Sequence, residues 1–324
     1  MRAVQFKEYG GPEVLEVVAA AVPEPGPGQV TVDVAYSGVN FADVKARSDG
    51  YRVPALPHVP GIEVSGRVRA VGADVTGLRP GQEVAALTAG GAYAEVALAD
   101  AATVFALPGG MDLRTAATLP TVLPTAHALV HEVGRLTAGE SVLVQGAAGG
   151  VGTVVGQVAK AAGATVYGVV SGPAKAEYAL KHGYDEVFVG DTFAADARRA
   201  TGGRGVDLAL DPVGGDTFRQ SLAALAGFGR LVSFGNASGA EPWRVGQPEL
   251  FPGAHTVSAF SILTLAQSAP EALRALAGRA FRLVADGTVT LPVTAEFPLS
   301  EAAEAHRLMD GRTTTGKLLL RVSP

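Results

Sequence analysis

The sequence predicts an α/β protein built from two domains, a mostly β barrel and a doubly wound parallel sheet. The first hundred residues read as short alternating segments broken by Gly and Pro, as in 30–36 and 91–96. From about Ser141, apolar strands alternate with helical patterns, which is typical of a parallel sheet with right-handed crossovers. After about Val257 the chain has two helical stretches and a final strand, which we interpret as a return to the first domain.

Each element of the second half can be placed on the sequence. Apolar strands are predicted at Val142–Val144, Thr165–Val170, Glu186–Val189, Val206–Leu210 and Arg230–Phe234. The C-terminal part is predicted to form helices at about 270–286 and 300–310 and a strand at 317–322. The predicted domain bounds are 1–123 with 259–324 for the barrel domain, and 124–258 for the parallel-sheet domain. The segment 256–262 is predicted to be an apolar edge strand, and since such edges tend to pair with another copy, we expect a homodimer.

Composition and charge exclude several classes of function. The 324 residues are 48% apolar and only 18% charged, which favours a packed, enzyme-like body. The net charge of −5 argues against nucleic acid as a partner. The N-terminus lacks the features of a signal peptide, and no apolar run reaches the roughly 20 residues of a membrane span, so we expect a cytoplasmic protein without a membrane segment. The chain has no cysteine, which excludes disulfides and cysteine zinc sites.

A candidate nucleotide site follows the first strand of the predicted parallel sheet. Residues 141–145 form an apolar strand, and 146–152 read Gly-Ala-Ala-Gly-Gly-Val-Gly. Such glycine spacing arises by chance about 0.7 times in a chain this rich in glycine. The spacing therefore indicates a nucleotide site only if a strand precedes it and a helix follows it. The context is an apolar face at 151, 154, 155, 158, 159 and 162, which predicts a helix whose N-terminus can hold a pyrophosphate. The alternative is a turn whose glycines serve only close helix–sheet packing.

The end of the next strand indicates which dinucleotide binds. A carboxylate there accepts hydrogen bonds from the ribose hydroxyls and repels a 2′-phosphate. Residues 169–175 contain no acid but offer the hydroxyl of Ser171 and the ammonium of Lys175. This favours NADPH, with Lys175 as the charge partner of the phosphate. The alternative for Lys175 is an ordinary exposed residue in the first turn of a helix.

Several motifs together resemble the zinc-independent quinone oxidoreductase branch of the medium-chain dehydrogenase/reductase superfamily. They are Gly38–Asp43 with Arg47 and Tyr51, Pro60–Gly66, Ala147–Gly152, Asp211–Asp216 and Val232–Gly239. The resemblance implies a GroES-like β-barrel catalytic domain and a Rossmann domain. The zinc-dependent alcohol dehydrogenases of this superfamily place Cys at the position of Asn40 and His at that of Ile62, so we expect no catalytic metal. Glu63 is then expected to be a hydrogen-bonding residue at the barrel wall.

The resemblance also implies roles for individual residues. Asn40 and Tyr51 are the catalytic candidates, with Asn40 and Phe41 lining the nicotinamide pocket and Asp43 behind them. The other cofactor-binding candidates are Thr125, Gly149, Gly150, Val151, Gly152, Ser171, Lys175, Phe234, Gly235, Asn236, Phe260, Ser261, Arg312 and Lys317. Plainer roles stay open: Asn40 and Asn236 as turn caps, Phe260 as a core residue and Tyr51 as a packing residue.

Two departures from the family pattern concern the pocket rim and the phosphate site. The usual Arg-x-Gly-x-Tyr is replaced by Arg47-Ser48-Asp49-Gly50-Tyr51, with the glycine displaced by one position. The family also often carries a tyrosine near Gly190 that helps to hold the adenosine phosphate, and this chain has none there.

The predicted chemistry is hydride transfer from NADPH to a small conjugated carbonyl compound. Without a Lewis acid an enzyme does not readily activate a simple alcohol, whereas a quinone or enone accepts hydride because the negative charge spreads onto oxygen. One alternative is an enoyl reductase of thioester or polyketide intermediates. A second, from another class, is an NADPH-binding sensor or structural protein with little turnover.

Overall fold

The structure is a computed structural model that describes residues 1–107 and 109–323. The chain forms two compact units, one of Met1–Pro124, Leu263–Ala285 and Leu291–Pro324, the other of Thr125–Ile262 and Asp286–Thr290. These units differ from the predicted domain bounds at 124, 259–262 and 286–290, and the bounds themselves remain a prediction. Residues 286–290 belong to the second unit because Thr290 and Gln157 exchange hydrogen bonds of 2.8 and 2.9 Å.

The N-terminal part of the first unit is mainly β structure. Its elements are β1 (Arg2–Gln5), β2 (Glu16–Ala19), β3 (Gln29–Val39), α1 (Phe41–Asp49), β4 (Glu63–Val71), β5 (Glu83–Leu87), β6 (Val96–Asp100), β7 (Val104–Ala106), α2 (Leu113–Ala116) and α3 (Leu119–His127). Helix α3 continues into the second unit as a π-helical segment, Ala128–Val133.

The second unit is an alternation of strands and helices, as predicted. Its elements are β8 (Ser141–Gln145), α4 (Gly150–Ala161), β9 (Thr165–Val170), α5 (Pro173–Leu180), β10 (Glu186–Val189), α6 (Phe193–Ala200), β11 (Val206–Asp211), α7 (Gly215–Ala223), β12 (Leu225–Ser233), α8 (Gln247–Leu250) and β13 (Thr256–Ala259). The C-terminal elements are α9 (Ile262–Ser268), α10 (Pro270–Ala285), β14 (Val293–Pro298), α11 (Ala302–Asp310) and β15 (Lys317–Arg321).

The long strand β3 organises the first unit. It pairs antiparallel with β4, with β6 near its start and with β15 near its end, within a sheet of order β14-β15-β3-β4-β5-β7. Its alternate residues Val30, Val32 and Val34 are buried and share a core with Leu318 and Leu320. Because side chains alternate across a strand, this period of two places one face of β3 in the core. Full burial of each such side chain stabilises the fold by about 1.5–3 kcal/mol.

The second unit contains a six-stranded parallel sheet of order β10-β9-β8-β11-β12-β13. Its central strand β8 is an unbroken apolar run, Val142-Leu143-Val144, with no exposure. Such runs form where helices cover both faces of a parallel sheet. The chain leaves β8 to one side through β9 and returns on the other side at β11, which creates a switch point between β8 and β11. Ligands of such folds bind in the crevice outside the carboxyl ends of the strands at this point.

Strand β13 is the last strand of this sheet, so the predicted edge position is observed. It ends at Ala259, earlier than predicted, because the chain enters helix α9 at Ile262. Among the described helices, none combines the length and the apolar character needed to cross a membrane.

Candidate functional site

The glycine turn lies between β8 and α4, at the switch point of the parallel sheet. Gly146 adopts a left-handed backbone (φ 66°) and accepts a hydrogen bond of 2.9 Å from the amide of Gly149. Gly149 is the N-cap residue of α4 and has no side chain to cap the helix. The first amides of a helix have no partner within the helix, and they carry its positive dipole end. The turn therefore presents uncapped N–H groups of Gly150, Val151 and Gly152 to an anion.

Gly152 is fixed as glycine by the backbone around it. A Cβ atom on Gly152 would lie 2.3 Å from the carbonyl oxygen of Gly146 and 2.8 Å from two backbone atoms of Ala147. On the other side, the hydroxyl of Tyr184 donates a 2.7 Å hydrogen bond to the carbonyl oxygen of Gly152. Tyr184 is buried, and it also packs against Gly156 and Gly168, which leave room for its ring. The turn is thus held from both sides, and sequence reasoning missed Tyr184 because it lies in a loop without a motif.

A buried carboxylate holds the turn that precedes the other helix at the switch point, α7. The buried carboxylate of Asp211, at the end of β11, accepts hydrogen bonds from the amides of Val213 (2.7 Å) and Gly214 (3.2 Å). Burial raises the pKa of Asp211, and these two hydrogen bonds partly oppose that effect. Because a carboxylate lies in the turn before α7 and none lies in the turn before α4, an anion is better accommodated at α4.

Ser171 and Lys175 follow β9, the strand next to β8. Ser171 is exposed, and Lys175 is the third residue of α5, whose N-cap is Gly172. Gly190, after the adjacent strand β10, donates a backbone hydrogen bond of 3.1 Å to Val170. Because these strands are parallel, the two predicted phosphate contacts lie at the carboxyl ends of the strands, as the glycine turn does.

Most of the remaining candidates of the second unit follow the carboxyl ends of β12 and β13. Phe234 and Phe260 are half-buried and bind backbone carbonyls of Asp211 and Ser233 through their amides, each at 2.9 Å. The Asn236 side chain donates to the carbonyl of Ala240 (2.7 Å) and accepts from Ser238 (3.1 Å). Gly235 and Ser261 are the chain neighbours of these residues, and Thr125 is buried in α3. The amide of Asn236 therefore stabilises its own loop.

The first unit holds a buried polar cluster around Asn40. Asn40 precedes α1, and its side-chain Nδ2 donates to Oε1 of Glu63 at 2.8 Å. The ammonium of Lys317 donates to Oδ1 of Asn40 at 2.7 Å and forms an ion pair with Glu63. The second carboxylate oxygen of Glu63 accepts from the amide of Thr121 at 2.9 Å. Lys317, a predicted cofactor contact, thus lies beside a predicted catalytic residue, 277 positions away in sequence.

The other predicted residues of the first unit lie outside this cluster. Phe41 is the half-buried first residue of α1. Tyr51 is 44% exposed, and the guanidinium of Arg52 lies 5.8 Å from its ring centre. Arg52 also donates a 2.7 Å hydrogen bond to the hydroxyl of Thr264. Arg312 lies on an exposed turn after α11, with a left-handed backbone (φ 51°).

A second buried network lies behind Asn40, where Asp43 was expected, and it includes Tyr93 and Asp310, which sequence reasoning missed. Asp43 accepts a 2.8 Å hydrogen bond from the amide of Asn40, and the hydroxyl of Tyr93 lies 3.4 Å from the same carboxyl oxygen. Burial raises the pKa of Asp43 to about 7, and that of Tyr93 well above its usual range. Arg47, also buried, forms an ion pair of 2.9 Å with Asp310. No local pattern links these residues, because α1 and α11 are distant in sequence.

Within residues 1–107 and 109–323, no group of three or more His, Cys, Asp or Glu side chains is arranged to hold a metal ion. At the positions where zinc-dependent relatives are expected to carry ligands, this chain has Asn40 and Ile62. The polar atoms of Asn40 and Glu63 are directed at each other and at Lys317.

Two family models match the chain. Residues 26–109 match the alcohol dehydrogenase GroES-like domain, and residues 150–278 match the zinc-binding dehydrogenase model. A quinone oxidoreductase of Pseudomonas aeruginosa is 37% identical, over 98% of this chain and 99% of its own. The crystal structure of Escherichia coli quinone oxidoreductase complexed with NADPH has a TM-score of 0.93 and 32% identity, covering 99% of this chain and 100% of its own.

A second kind of relative is much longer. Phthioceranic/hydroxyphthioceranic acid synthase of Mycobacterium bovis is 35% identical over 98% of this chain, which matches only 15% of that synthase. The family matches confirm the predicted combination of a GroES-like and a Rossmann domain. The chain belongs to the medium-chain dehydrogenase/reductase superfamily, in its quinone oxidoreductase branch.

Proposed function

We propose that this oxidoreductase transfers a hydride from NADPH to a quinone or an α,β-unsaturated carbonyl compound without a metal. The observation that carries the proposal is the uncapped N-terminus of α4, which meets a tightly packed glycine turn at the switch point of the parallel sheet. The Escherichia coli relative, complexed with NADPH, supports the choice of cofactor.

The residues of the turn fit a dinucleotide. Because Gly152 has no Cβ, its backbone can pack directly against the carbonyl oxygen of Gly146. In this tight turn the amides of Gly150 and Val151 would bind the pyrophosphate. Ser171 and Lys175 would bind the 2′-phosphate, since no carboxylate lies in 169–175 to repel it. The remaining candidates of the second unit, Thr125, Phe234, Gly235, Asn236, Phe260 and Ser261, would bind the nicotinamide half. Phe41 and Arg312 are also proposed to bind the cofactor.

A metal-independent reaction is supported by the residue types around Asn40. An amide is a poor zinc ligand and an isoleucine side chain is none. The carboxylate of Glu63 is already bound by Lys317, Asn40 and the Thr121 amide. These residues favour an acceptor that is reactive without a Lewis acid, as quinones and enones are.

In the proposed mechanism the protein stabilises the negative charge that develops on the acceptor oxygen. Bound NADPH supplies the hydride. Asn40 donates a hydrogen bond from Nδ2 to the acceptor oxygen, and Tyr51 donates a hydrogen bond or a proton from its hydroxyl. The exposure of Tyr51 leaves its hydroxyl open to solvent, which can restore the proton. Unchanged turnover of a Tyr51→Phe variant would remove Tyr51 from the mechanism.

A second candidate function is the reduction of enoyl thioesters. It is supported by the identity of 35% to a segment of the phthioceranic/hydroxyphthioceranic acid synthase. A third, an NADPH-binding sensor or structural protein, predicts binding without turnover.

Competing acceptors in one assay test the proposal. We expect kcat/KM for 1,4-benzoquinone, 9,10-phenanthrenequinone or a short enone to exceed that for a 2-enoyl thioester. The reverse order would assign the enzyme to thioester chemistry. Saturable binding of NADPH with no oxidation by any of these acceptors would favour the sensor.

We also propose that the protein is a homodimer joined through β13. This strand lies at the edge of its sheet, and its residues are exposed or half-buried. An unpaired edge offers backbone N–H and C=O groups to a second copy. A monomeric mass in sedimentation equilibrium at micromolar protein would contradict the dimer.

A further inference from the structure

The side-chain amide of Asn40 lies between two buried opposite charges. Its oxygen accepts from the Lys317 ammonium at 2.7 Å, and its nitrogen donates to the Glu63 carboxylate at 2.8 Å. An ammonium can only donate hydrogen bonds and an ionised carboxylate can only accept them. Rotating the amide by half a turn would therefore set its NH₂ group against the ammonium, donor to donor, and its oxygen against the carboxylate, acceptor to acceptor. The two charges allow only one orientation of the Asn40 side chain.

Lys317 and Glu63 together form a clamp around the Asn40 amide, and the surrounding groups hold this clamp in place. The Glu63 side chain is fully buried, and that of Lys317 is 3% exposed. The Thr121 amide holds the other oxygen of Glu63, and the Asp43 carboxylate holds the backbone amide of Asn40. Gly38 provides the space, because a Cβ atom there would lie 2.2 Å from Oε1 of Glu63. The position of Asn40 is thus fixed at both its backbone and its side chain.

A buried ion pair is costly to desolvate and is weak evidence for stability. The arrangement has a clearer consequence for hydrogen bonding. With Oδ1 bound to Lys317 and one Nδ2 proton bound to Glu63, the remaining capacity of the Asn40 amide is its second N–H group. A hydrogen bond accepted by the amide oxygen from a cation also strengthens the N–H as a donor.

We propose that Lys317 and Glu63 are positioning residues that fix Asn40 as a hydrogen-bond donor to the carbonyl oxygen of the acceptor. This inference rests on the proposed function, because it assigns the donor of that same site. It also defines the acceptor chemically: the reacting compound must present a carbonyl oxygen on which negative charge develops, as quinones, enones and enoyl thioesters do.

Asparagine-selective ¹⁵N labelling tests the clamp without turnover. The chain has two asparagines, Asn40 and Asn236, so only two side-chain amides give signals. We expect the Asn40 δ2 protons to be strongly inequivalent and slow to exchange with water. In Lys317→Met this signal should move and exchange faster, while that of Asn236, bound to Ala240, stays as an internal control. An unchanged Asn40 signal in a folded variant would overturn the proposal.

A second variant keeps the test decisive if Lys317→Met does not fold. Lys317→Met leaves the Glu63 charge buried without its partner, which can prevent folding. Combining Lys317→Met with Glu63→Gln removes both charges together, and the same change in the Asn40 signal is expected. Lys317→Arg keeps a cation and should retain most of the wild-type signal.

A double-mutant cycle tests the action through Asn40. We expect Lys317→Met to lower kcat by about tenfold, a smaller loss than the roughly 100-fold expected for removal of the donor in Asn40→Ala. In the Asn40→Ala background, Lys317→Met should change kcat less than about twofold, because coupled residues are not additive. Additive losses would assign Lys317 a merely structural role. A rise in the NADPH Kd that accounts for the loss would make Lys317 a cofactor contact instead.

These outcomes are distinct from failure of the proposed function. If no carbonyl acceptor is reduced by the wild-type enzyme, the proposed function fails and the donor role falls with it. The NMR measurement would then still decide whether the charges fix the amide.

Discussion

The hydroxyl oxygen of Tyr93 lies 3.0 Å from Nε2 of His306, and the two rings meet edge to face in the core of the first unit. The same hydroxyl lies 3.4 Å from the buried carboxyl of Asp43. Burial raises the pKa of Asp43 to about 7. Burial and the nearby charge of Arg47 lower the pKa of His306 to about 3. One phenol therefore connects two groups whose charged forms are both disfavoured in the folded protein.

These two shifts predict opposite pH dependences of stability. Between pH 3.8 and about 7 the folded state holds an extra proton on Asp43, so its contribution to the free energy of unfolding falls as pH rises. Between about pH 3 and 6.5 the unfolded state holds an extra proton on His306, so that contribution rises with pH. Each slope is about 1.4 kcal/mol per pH unit at most, and the two largely cancel between pH 4 and 6.5.

Urea unfolding across this pH range checks the prediction. Relative to wild type, Asp43→Asn should make the free energy of unfolding rise with pH, and His306→Gln should make it fall. Asp33→Asn, which removes a half-exposed carboxylate paired with Arg69, is the control for loss of a surface charge. Parallel curves for wild type and the two buried variants would refute the assignment.

Replacing Gly152 by Ala should weaken binding of NADPH by more than about tenfold. The added methyl would clash with backbone atoms of Gly146 and Ala147, which no side-chain rotation relieves. The turn must then open and misalign the amides of α4. Fluorescence titration measures the Kd, with Gly227→Ala as the control, because a Cβ at Gly227 meets no atom within 4 Å. Equal affinities for both variants would mean that this turn does not bind the cofactor.

Tyr184→Phe should have a smaller effect on the same turn. The ring keeps its packing, but the carbonyl of Gly152 loses a hydrogen bond of 2.7 Å. We expect a loss of about 1 kcal/mol in the free energy of unfolding and a severalfold rise in the NADPH Kd. Tyr167→Phe, at another buried tyrosine of the second unit, is the matched control. A variant of unchanged affinity and stability would show that the bond is unimportant.

Lys175→Ala should reduce the preference for NADPH over NADH. A lysine paired with the 2′-phosphate stabilises NADPH alone, so kcat/KM is expected to fall by about tenfold with NADPH and to stay constant with NADH. Lys181→Ala removes a lysine just after the same helix, where it pairs with Glu177, and should change neither value. Equal losses with both cofactors would place Lys175 outside the phosphate site.

Much of the fold could be predicted because its signals are local. Strands β9 and β10 have the predicted bounds, since their apolar runs end at turns. Strand β12 begins at Leu225, five residues before the predicted start at Arg230. The prediction missed these residues because Gly227 and Gly229 interrupt the apolar pattern of the strand. Phe228 between them has a left-handed backbone (φ 63°) and is exposed.

The candidate site was predictable only in part. The glycine turn could be located because a strand, a turn and a helix follow one another within about twenty residues. The contact between Asn40 and Lys317, and the bond from Tyr184 to Gly152, join residues from separate elements. Periodicity reports the face of an element but not which distant side chain meets it, so these contacts required the structure.

The most direct test of a metal-independent NADPH reductase is the oxidation of NADPH and NADH by quinone and enone acceptors after exhaustive chelation of metals. We expect saturable oxidation that is indifferent to the chelator and has a higher kcat/KM with NADPH. Turnover that is lost on chelation and restored by zinc, or a preference for NADH, would contradict the proposed function.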